Sequence, residues 1–525
     1  MIKVISSNQY KEALDLIVAA TKRSVSKTQC ESISIDELDT CNSILIAIGP
    51  DELMGQKIID WIKKEPRKLI LLGSLPDILI NFLQFKKVDW PNETNNWQTS
   101  LSAPLHNFTE SRGVIKYQKL IEQFNLNAWR RPMERFDFAS EWNNMGYGAI
   151  KLDDSIWSLA MPLKAMAYSE LATLMIDDKS FFSYASLSND SNYSILWFNR
   201  HVGPIDSFEW RIVEIFLAHY RFENLPCYPV IKEIPFKYDA AITMRLDCDE
   251  NVASAQPLFE KYKAMNIPFS LAINTSSFDE KRDRLIIDEV IKNKGSILSH
   301  STTHAPQWGG SYENAKREAF DSRELIEKLA RINVRYAVSP FHQTPSYALK
   351  ALSDIGYEGC IGGIICNDPD FLMGRGGCLS QIKDGFIGHS QQIMLHGDCI
   401  LEGTQPLKVY RDSFDLAYES QTLFGFLDHP FSERYQYGWK DEATRIKIHE
   451  DFIQYIKTKA KNPIFLSEEQ AMDFIKLKSS IFIKQEKDEF YLDAPDLKNG
   501  HNYFLNFAIE YHNKTLKAEY GMKLQ

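Results

Sequence analysis

The sequence predicts an α/β protein of more than one domain, and three observations carry that. A chain of 525 residues exceeds the ~250–300 residues at which single cores stop growing. Near its start, short unbroken apolar runs alternate with amphipathic stretches, as parallel strands covered by helices on both faces do. Between 236 and 477 the strand–helix alternation recurs seven or eight times, which predicts a (β/α) barrel.

In the first segment, about 1–112, residues 10–21 carry apolar side chains at helical spacing. A short buried strand is expected at 43–49, an amphipathic helix at 53–64 and a second buried strand at 68–73. Gly49-Pro50 is a turn and not a phosphate cradle, because no Gly-x-Gly-x-x-Gly follows. Residues 113–235 offer strands at 181–186 and 193–198 and a helix at 207–220. They complete the first layer or form a second subdomain with its break near 112. The N-terminal α/β region, 1–235, is expected to be Rossmann-like. Asn199-Arg200-His201 is an isolated polar run inside it, and a lone histidine is more often a packed residue than a ligand.

In 236–477, strands are expected at 241–246, 269–273, 296–299, 335–339, 357–364, 392–396, 423–427 and 463–466. Helices are expected at 252–265, 311–333, 346–355 and 441–459. The remainder, 478–525, has short strand-like runs and an Asn499-Gly500 turn and is expected to be a small β appendage.

Composition bounds the function. Hydrophobic residues make up 44% and charged residues 25%, as in an ordinary globular protein. A net charge of −10 without a dense basic run argues against a nucleic-acid partner. No apolar run is long enough to span a bilayer. The first ten residues lack a basic stretch followed by an apolar core, so no signal peptide is expected and the expected location is the cytoplasm. Eight cysteines form no Cys-x-x-Cys pair and are expected to be reduced thiols. Cys248, between two acids, is expected to pack on the opposite face of its strand.

The chemistry lies in two short runs. Asp247 and Asp249 close an apolar strand and share one face by their spacing of two. His300 and His304 follow another strand, four positions apart in a Ser/Thr-rich loop. Asp249, His300 and His304 offer a His-His-Asp donor set that leaves room for water, and Asp247 is placed to take a proton. Such donors suit Zn2+ first, with Co2+, Ni2+ and Fe2+ as competitors. Without a metal, the two acids would be neighbours at a strand end without a task, which is costly if they are buried. Three histidines at strand ends compete to donate a proton to a leaving amine: His429, His396 and His342. Trp308, Tyr435, Tyr437 and Trp439 are candidates for apolar walls around a sugar ring.

These motifs, over just under half of the chain, resemble the polysaccharide deacetylase family, that is, the NodB-homology domain of carbohydrate esterase family 4. Arg245-Leu-Asp247-Cys-Asp249 is similar to its first motif, and His300-Ser301-Thr302-Thr303-His304 to its second. The third, an Arg-x-Pro-aromatic loop, is matched only in part by Val338-Ser339-Pro340-Phe341; its arginine is missing, and Arg245 or His342 is the candidate substitute. Leu427-Asp428-His429-Pro430 resembles the late histidine motif, and that order favours His429 over His396. The resemblance implies a deformed (β/α)7 barrel of NodB type and removal of an N-acetyl group from an amino sugar. It implies Asp247 as base, His429 as acid, and Asp249, His300 and His304 as metal ligands. An oxyanion donor is expected near the Phe341 backbone. Arg245, Pro340, Phe341, His342, His396 and Trp308 are the residues expected on the substrate side.

The expected substrate is an N-acetylated sugar, nucleotide- or lipid-linked, on the way to a surface polysaccharide. Two alternatives stand beside it: an amidohydrolase of a non-sugar acyl amide, and a degenerate barrel that binds or assembles carbohydrate. The missing third-motif arginine favours the last; the intact Asp-x-Asp and His-x-x-x-His runs oppose it.

Overall fold

The computed structural model describes residues 1–94, 113–132, 155–362, 374–380, 382, 385–391, 393–395, 397, 407–432, 434–487, 489–494 and 505–524. They fall into two compact units: one runs as far as Lys232 and resumes at Ser480–Gln525, and the other is Glu233–Ser479.

The first unit is built on a nine-stranded mixed sheet. Strands β1 (Ile2–Ser6), β2 (Cys30–Ser32), β3 (Ile44–Ile48) and β4 (Arg67–Leu72) open it, and β3 and β4 are buried at every position. Helices Lys11–Val25 and Glu52–Ile62 connect them, the second capped by Asp51, whose side chain accepts from the Met54 amide. Then follow β5 (Gly113–Tyr117), β6 (Arg130–Pro132), β7 (Glu170–Ile176), β8 (Lys179–Asn189) and β9 (Tyr193–Phe198). The spatial order is β2-β1-β3-β4-β9-β8-β7-β5-β6. Pairing is parallel from β2 to β9 and antiparallel beyond it. A helix at Ser207–Ala218, buried along its whole length, and a short β10 (Val230–Ile231) complete this part.

The second unit is an α/β layer around one sheet, parallel except for the pair of its strands Gly377–Cys378 and Ile387–Ser390. Its strands are β11 (Ala240–Cys248), β12 (Ser270–Ile273), β13 (Ser296–Ser299), β14 (Tyr336–Val338) and β15 (Gly359–Gly362). They continue with β16 (Gly377–Cys378), β17 (Ile387–Ser390), β18 (Ile393–Met394), β19 (Phe424–Asp428) and β20 (Pro463–Leu466). The order is β16-β17-β15-β14-β13-β12-β11-β19-β18, with β20 paired to the start of β11. Helices Gln256–Ala264, Glu280–Lys292, Tyr312–Ala330 and Ser346–Asp354 separate successive strands. The helix expected at 252–265 is a 3-10 turn, Val252–Ala255, followed by a helix with proline in its first turn. Proline lacks an N–H and fits that position, so the α-helix starts there. Among the described residues no pairing joins β16 to β18.

The C-terminal strands are β21 (Phe482–Glu486), β22 (Glu489–Asp493), β23 (Ala508–Tyr511), β24 (Lys514–Lys517) and β25 (Lys523–Leu524). They belong to the first unit, where β23 pairs with β10 and sets Glu510 opposite Val230. Glu510 takes both Arg211 guanidinium nitrogens at 2.6 and 3.0 Å and the Lys232 ammonium at 3.0 Å. The expected Asn499-Gly500 turn lies outside the described residues. Among the described residues no helix is long and apolar enough to cross a membrane.

Candidate metal centre

β11 is buried over its whole length. An unbroken buried strand in a parallel sheet accommodates charge only at a carboxyl end or within a pair. Both happen here. Arg245 and Asp247, on one face by their spacing of two, form a two-pronged ion pair: Nε donates to Oδ1 at 2.6 Å and Nη2 to Oδ2 at 3.2 Å. Burial pushes the Asp247 carboxyl up, but Arg245, with His300 and His429, more than reverses this and holds it below the usual carboxylate range. On its other side Arg245 faces Glu468, with Nη1 at 3.9 Å from Oε1. Glu468 is pushed up to about 6, by burial above all.

Asp249 lies just past the end of β11, and His300 just past β13. His300 donates from Nδ1 to the Val338 carbonyl at 3.1 Å. A carbonyl only accepts, so this bond puts the proton on Nδ1 and turns the Nε2 lone pair toward Asp249. His304 sits at φ +54°, in a left-handed turn that brings its ring back beside His300. Glu318, on the helix Tyr312–Ala330, pins the connecting residues: its carboxylate accepts from the Thr302 and Thr303 amides at 3.0 and 2.7 Å. The Thr303 hydroxyl donates to it at 2.7 Å.

Three donor atoms therefore form a small triangle. His300 Nε2 and His304 Nε2 are 3.1 Å apart, and Asp249 Oδ1 lies 3.4 and 3.3 Å from them. Bonds of ~2.0–2.1 Å to one ion give tetrahedral or octahedral edges of roughly 2.8–3.4 Å. The donor set thus fits a divalent cation in size as well as chemistry. Asp249 Oδ1 is buried and accepts no hydrogen bond among the described residues, as expected of an acceptor reserved for a cation. Among those residues this is the group of His, Cys, Asp and Glu donors whose ligand atoms lie within 4.8 Å of one another. Burial and His300 push His304 down to about 4. His300 is raised: burial works against its charged form, and Asp247 and Asp249 outweigh it.

His429 follows β19, with Nε2 at 3.6 Å from Asp249 Oδ2. Its ring is stacked on Tyr437, centroids 4.0 Å apart and planes 10° from parallel. The Tyr437 hydroxyl donates to Asp249 Oδ2 at 3.2 Å. Asp428 accepts from the His429 amide at 2.7 Å, Arg445 at 2.9 Å, the His449 ring at 2.9 Å and the Trp439 indole at 3.3 Å. The ring it orients is therefore that of His449, while it holds His429 by the backbone.

Among the expected substrate-side residues, Arg245 is fully buried and engaged with Asp247, so it faces the carboxylate and not a ligand. Trp308 is also fully buried, its ring enclosed within the unit and offering no wall to a sugar. Pro340 and His342 are buried, and burial pushes His342 down to about 3. Phe341 is half-buried at φ +52°, its ring 4.3 Å from that of His304. His396 lies outside the described residues. One contributor escaped the sequence, Glu318, which reads there as an ordinary solvated helix acid; Tyr437, expected as an apolar wall for a sugar, instead sets its hydroxyl on Asp249 and its ring on His429.

No protein-family model matches the chain, and no curated protein matches it significantly. Solved structures do match, each with probability 1.00. One is Agd3, described as a novel carbohydrate deacetylase, at 9% identity and TM-score 0.40, covering 100% of this chain and 97% of that one. A family 4 acetyl xylan esterase from Clostridium thermocellum, in complex with a cobalt ion, matches at 10% identity and TM-score 0.31, covering 45% and 91%. The chitin deacetylase of the fungal pathogen Colletotrichum lindemuthianum matches at 11% identity and TM-score 0.30, covering 44% and 87%. The solved structures to which this chain is similar are thus polysaccharide deacetylases and carbohydrate esterases, at low identity and mostly over part of its length.

Proposed function

We propose that Glu233–Ser479 forms a metal-dependent hydrolase that removes an N-acetyl group from an amino sugar during surface-polysaccharide synthesis. One observation carries this: the Asp249–His300–His304 triangle, with a buried carboxylate, Asp247, two residues before it and an imidazole, His429, 3.6 Å from its acid. Asp249, His300 and His304 would hold the ion, Zn2+ first and Co2+, Ni2+ or Fe2+ with the same donors. When bound, it would supply Lewis-acid polarisation and a water more acidic than bulk water.

In this proposal Asp247 takes the proton of the attacking water. Arg245 keeps it ionised and aimed, and so stands where the resemblance calls for a third-motif arginine. In this reading the missing third-motif arginine no longer favours a degenerate binding protein. His429, held flat by Tyr437, gives a proton to the departing amine. The backbone N–H near Phe341 stabilises the developing oxyanion. The Rossmann-like first region and the deformed NodB-type barrel belong to the same proposal. Support for them comes from the parallel half of the first sheet and the successive parallel strand–helix steps of the second.

Bound metal is measured in the wild type and in His300→Ala/His304→Ala, followed by acetate release from N-acetylated sugars. About one equivalent lost in the variant, with acetate released by the wild type, is the expected result. A wild type that takes up no metal after Zn2+ is added would refute the proposal. Metal without sugar turnover, but with release from simple acyl amides, would shift it to the amidohydrolase alternative.

A further inference from the structure

Tyr437 touches both an expected ligand and the expected acid, and its backbone is held in an uncommon conformation. Its hydroxyl donates to Asp249 Oδ2 at 3.2 Å, leaving Oδ1 as the oxygen turned to the two histidines. Its ring lies flat on His429 at 4.0 Å. Its backbone sits at φ +46°, a conformation that a bulky side chain adopts only when the surroundings impose it.

The surroundings impose it from two sides. The Gly397 amide donates to the Tyr437 carbonyl at 3.0 Å. A Cβ on Gly397 would come within 2.1 Å of the Gly438 backbone, so only glycine allows this approach. One residue further on, Trp439 is buried and donates its indole N–H to Asp428 at 3.3 Å. Asp428 also takes the His429 amide, so one carboxylate ties down both partners of the stack.

We infer that Tyr437 is a positioning residue: its hydroxyl fixes Asp249 with a single oxygen, Oδ1, facing His300 and His304, and its ring fixes the plane of His429. This rests on the metal-site proposal above. Partners that orient a ligand commonly change metal affinity by ~10–100-fold when removed. Tyr437→Phe keeps the ring and the stack and removes only the hydroxyl. It frees Oδ2, so the carboxylate can turn and present both oxygens.

The test is titration of metal-free wild type and Tyr437→Phe with Co2+ alone, reading affinity and the visible absorption band. The band reports the number and kind of ligands, which a merely structural role for the tyrosine would leave unchanged. At least ~10-fold weaker binding with an altered band is expected. Equal affinity and an identical band would overturn the inference while leaving the metal site standing. A wild type that binds no Co2+ would overturn both. If Tyr437→Phe does not fold, Trp439→Phe serves in its place, since it releases the same loop from Asp428 and leaves the hydroxyl intact. A loss of affinity with an altered band, both relative to the wild type, supports the inference there, and no change in either overturns it.

Discussion

Replacing Arg245 with methionine tests how the site keeps a carboxylate ionised inside a buried strand. The substitution removes both charge-assisted bonds to Asp247, at 2.6 and 3.2 Å, and the charge facing Glu468. Breaking one side of a buried pair costs about 3–5 kcal/mol, because the surviving charge has neither water nor partner. The expected loss for this unit near neutral pH is therefore about 4 kcal/mol, read as a fall in the urea midpoint of its unfolding transition. The pH dependence has a definite sign. In the wild type the Asp247 carboxyl lies below its ordinary 3.8, so its contribution is present above that value and is lost as pH falls through the depressed one. The variant lacks that contribution and protonates Asp247 more readily. The gap between the two is thus widest near pH 7 and narrows toward pH 4. The double variant Arg245→Met/Asp247→Asn carries no orphaned charge at 247 and is expected to recover about half of the loss or more. A double variant no more stable than the single one, or a gap that widens as pH falls, would refute this account of the pair.

Other substitutions reach other links. Asp247→Asn alone should keep the metal, since Asp247 lies outside the donor triangle, and lower kcat/KM for an acetylated sugar by ~10²–10⁴-fold; metal analysis beside acetate release separates the two effects. His201, in the first unit, is pushed down to about 4 by burial alone. Its neutral form contributes stability above pH 6.5 that is lost as pH falls toward 4, about 3 kcal/mol in all. Urea unfolding at pH 7 and pH 4.5 should show that loss in the wild type and not in His201→Phe. Glu510→Gln leaves Arg211 and Lys232 without their shared acid and should destabilise the first unit by about 3 kcal/mol or more, seen in its thermal unfolding.

Much of the second unit was legible in the sequence, and for a physical reason. Short strands inside a covered sheet carry apolar cores bounded by helical or turn sequence, so 296–299 and 463–466 coincide with β13 and β20, and 241–246 lies inside β11. Arg245, Asp247 and Asp249 share a face by spacing alone, and the structure turns that spacing into an ion pair and a ligand. Position in the sheet was not legible. β1 is short and interrupted by a lysine, yet it lies between β2 and β3. Exposure was not legible either. Trp308 reads as a loop aromatic and is fully enclosed. Tyr437 and Glu318 act through atoms at distances that no local pattern encodes.

The return of the C-terminal strands to the first unit bears on how the polypeptide is made. β10 finds its partner β23 only after the whole of the second unit has left the ribosome. The first unit cannot complete this edge during synthesis, and until then Arg211 and Lys232 wait without Glu510. Such distant pairing is slow to form and leaves the waiting edge open to wrong partners. The second unit has no such delay. Its first long strand and its last lie side by side, Ala240 opposite Pro463, so its ends meet as those of an inserted domain must. A chain ended after residue 235 therefore strands a nascent edge, whereas the interposed unit contains every donor of the candidate metal centre within its own borders.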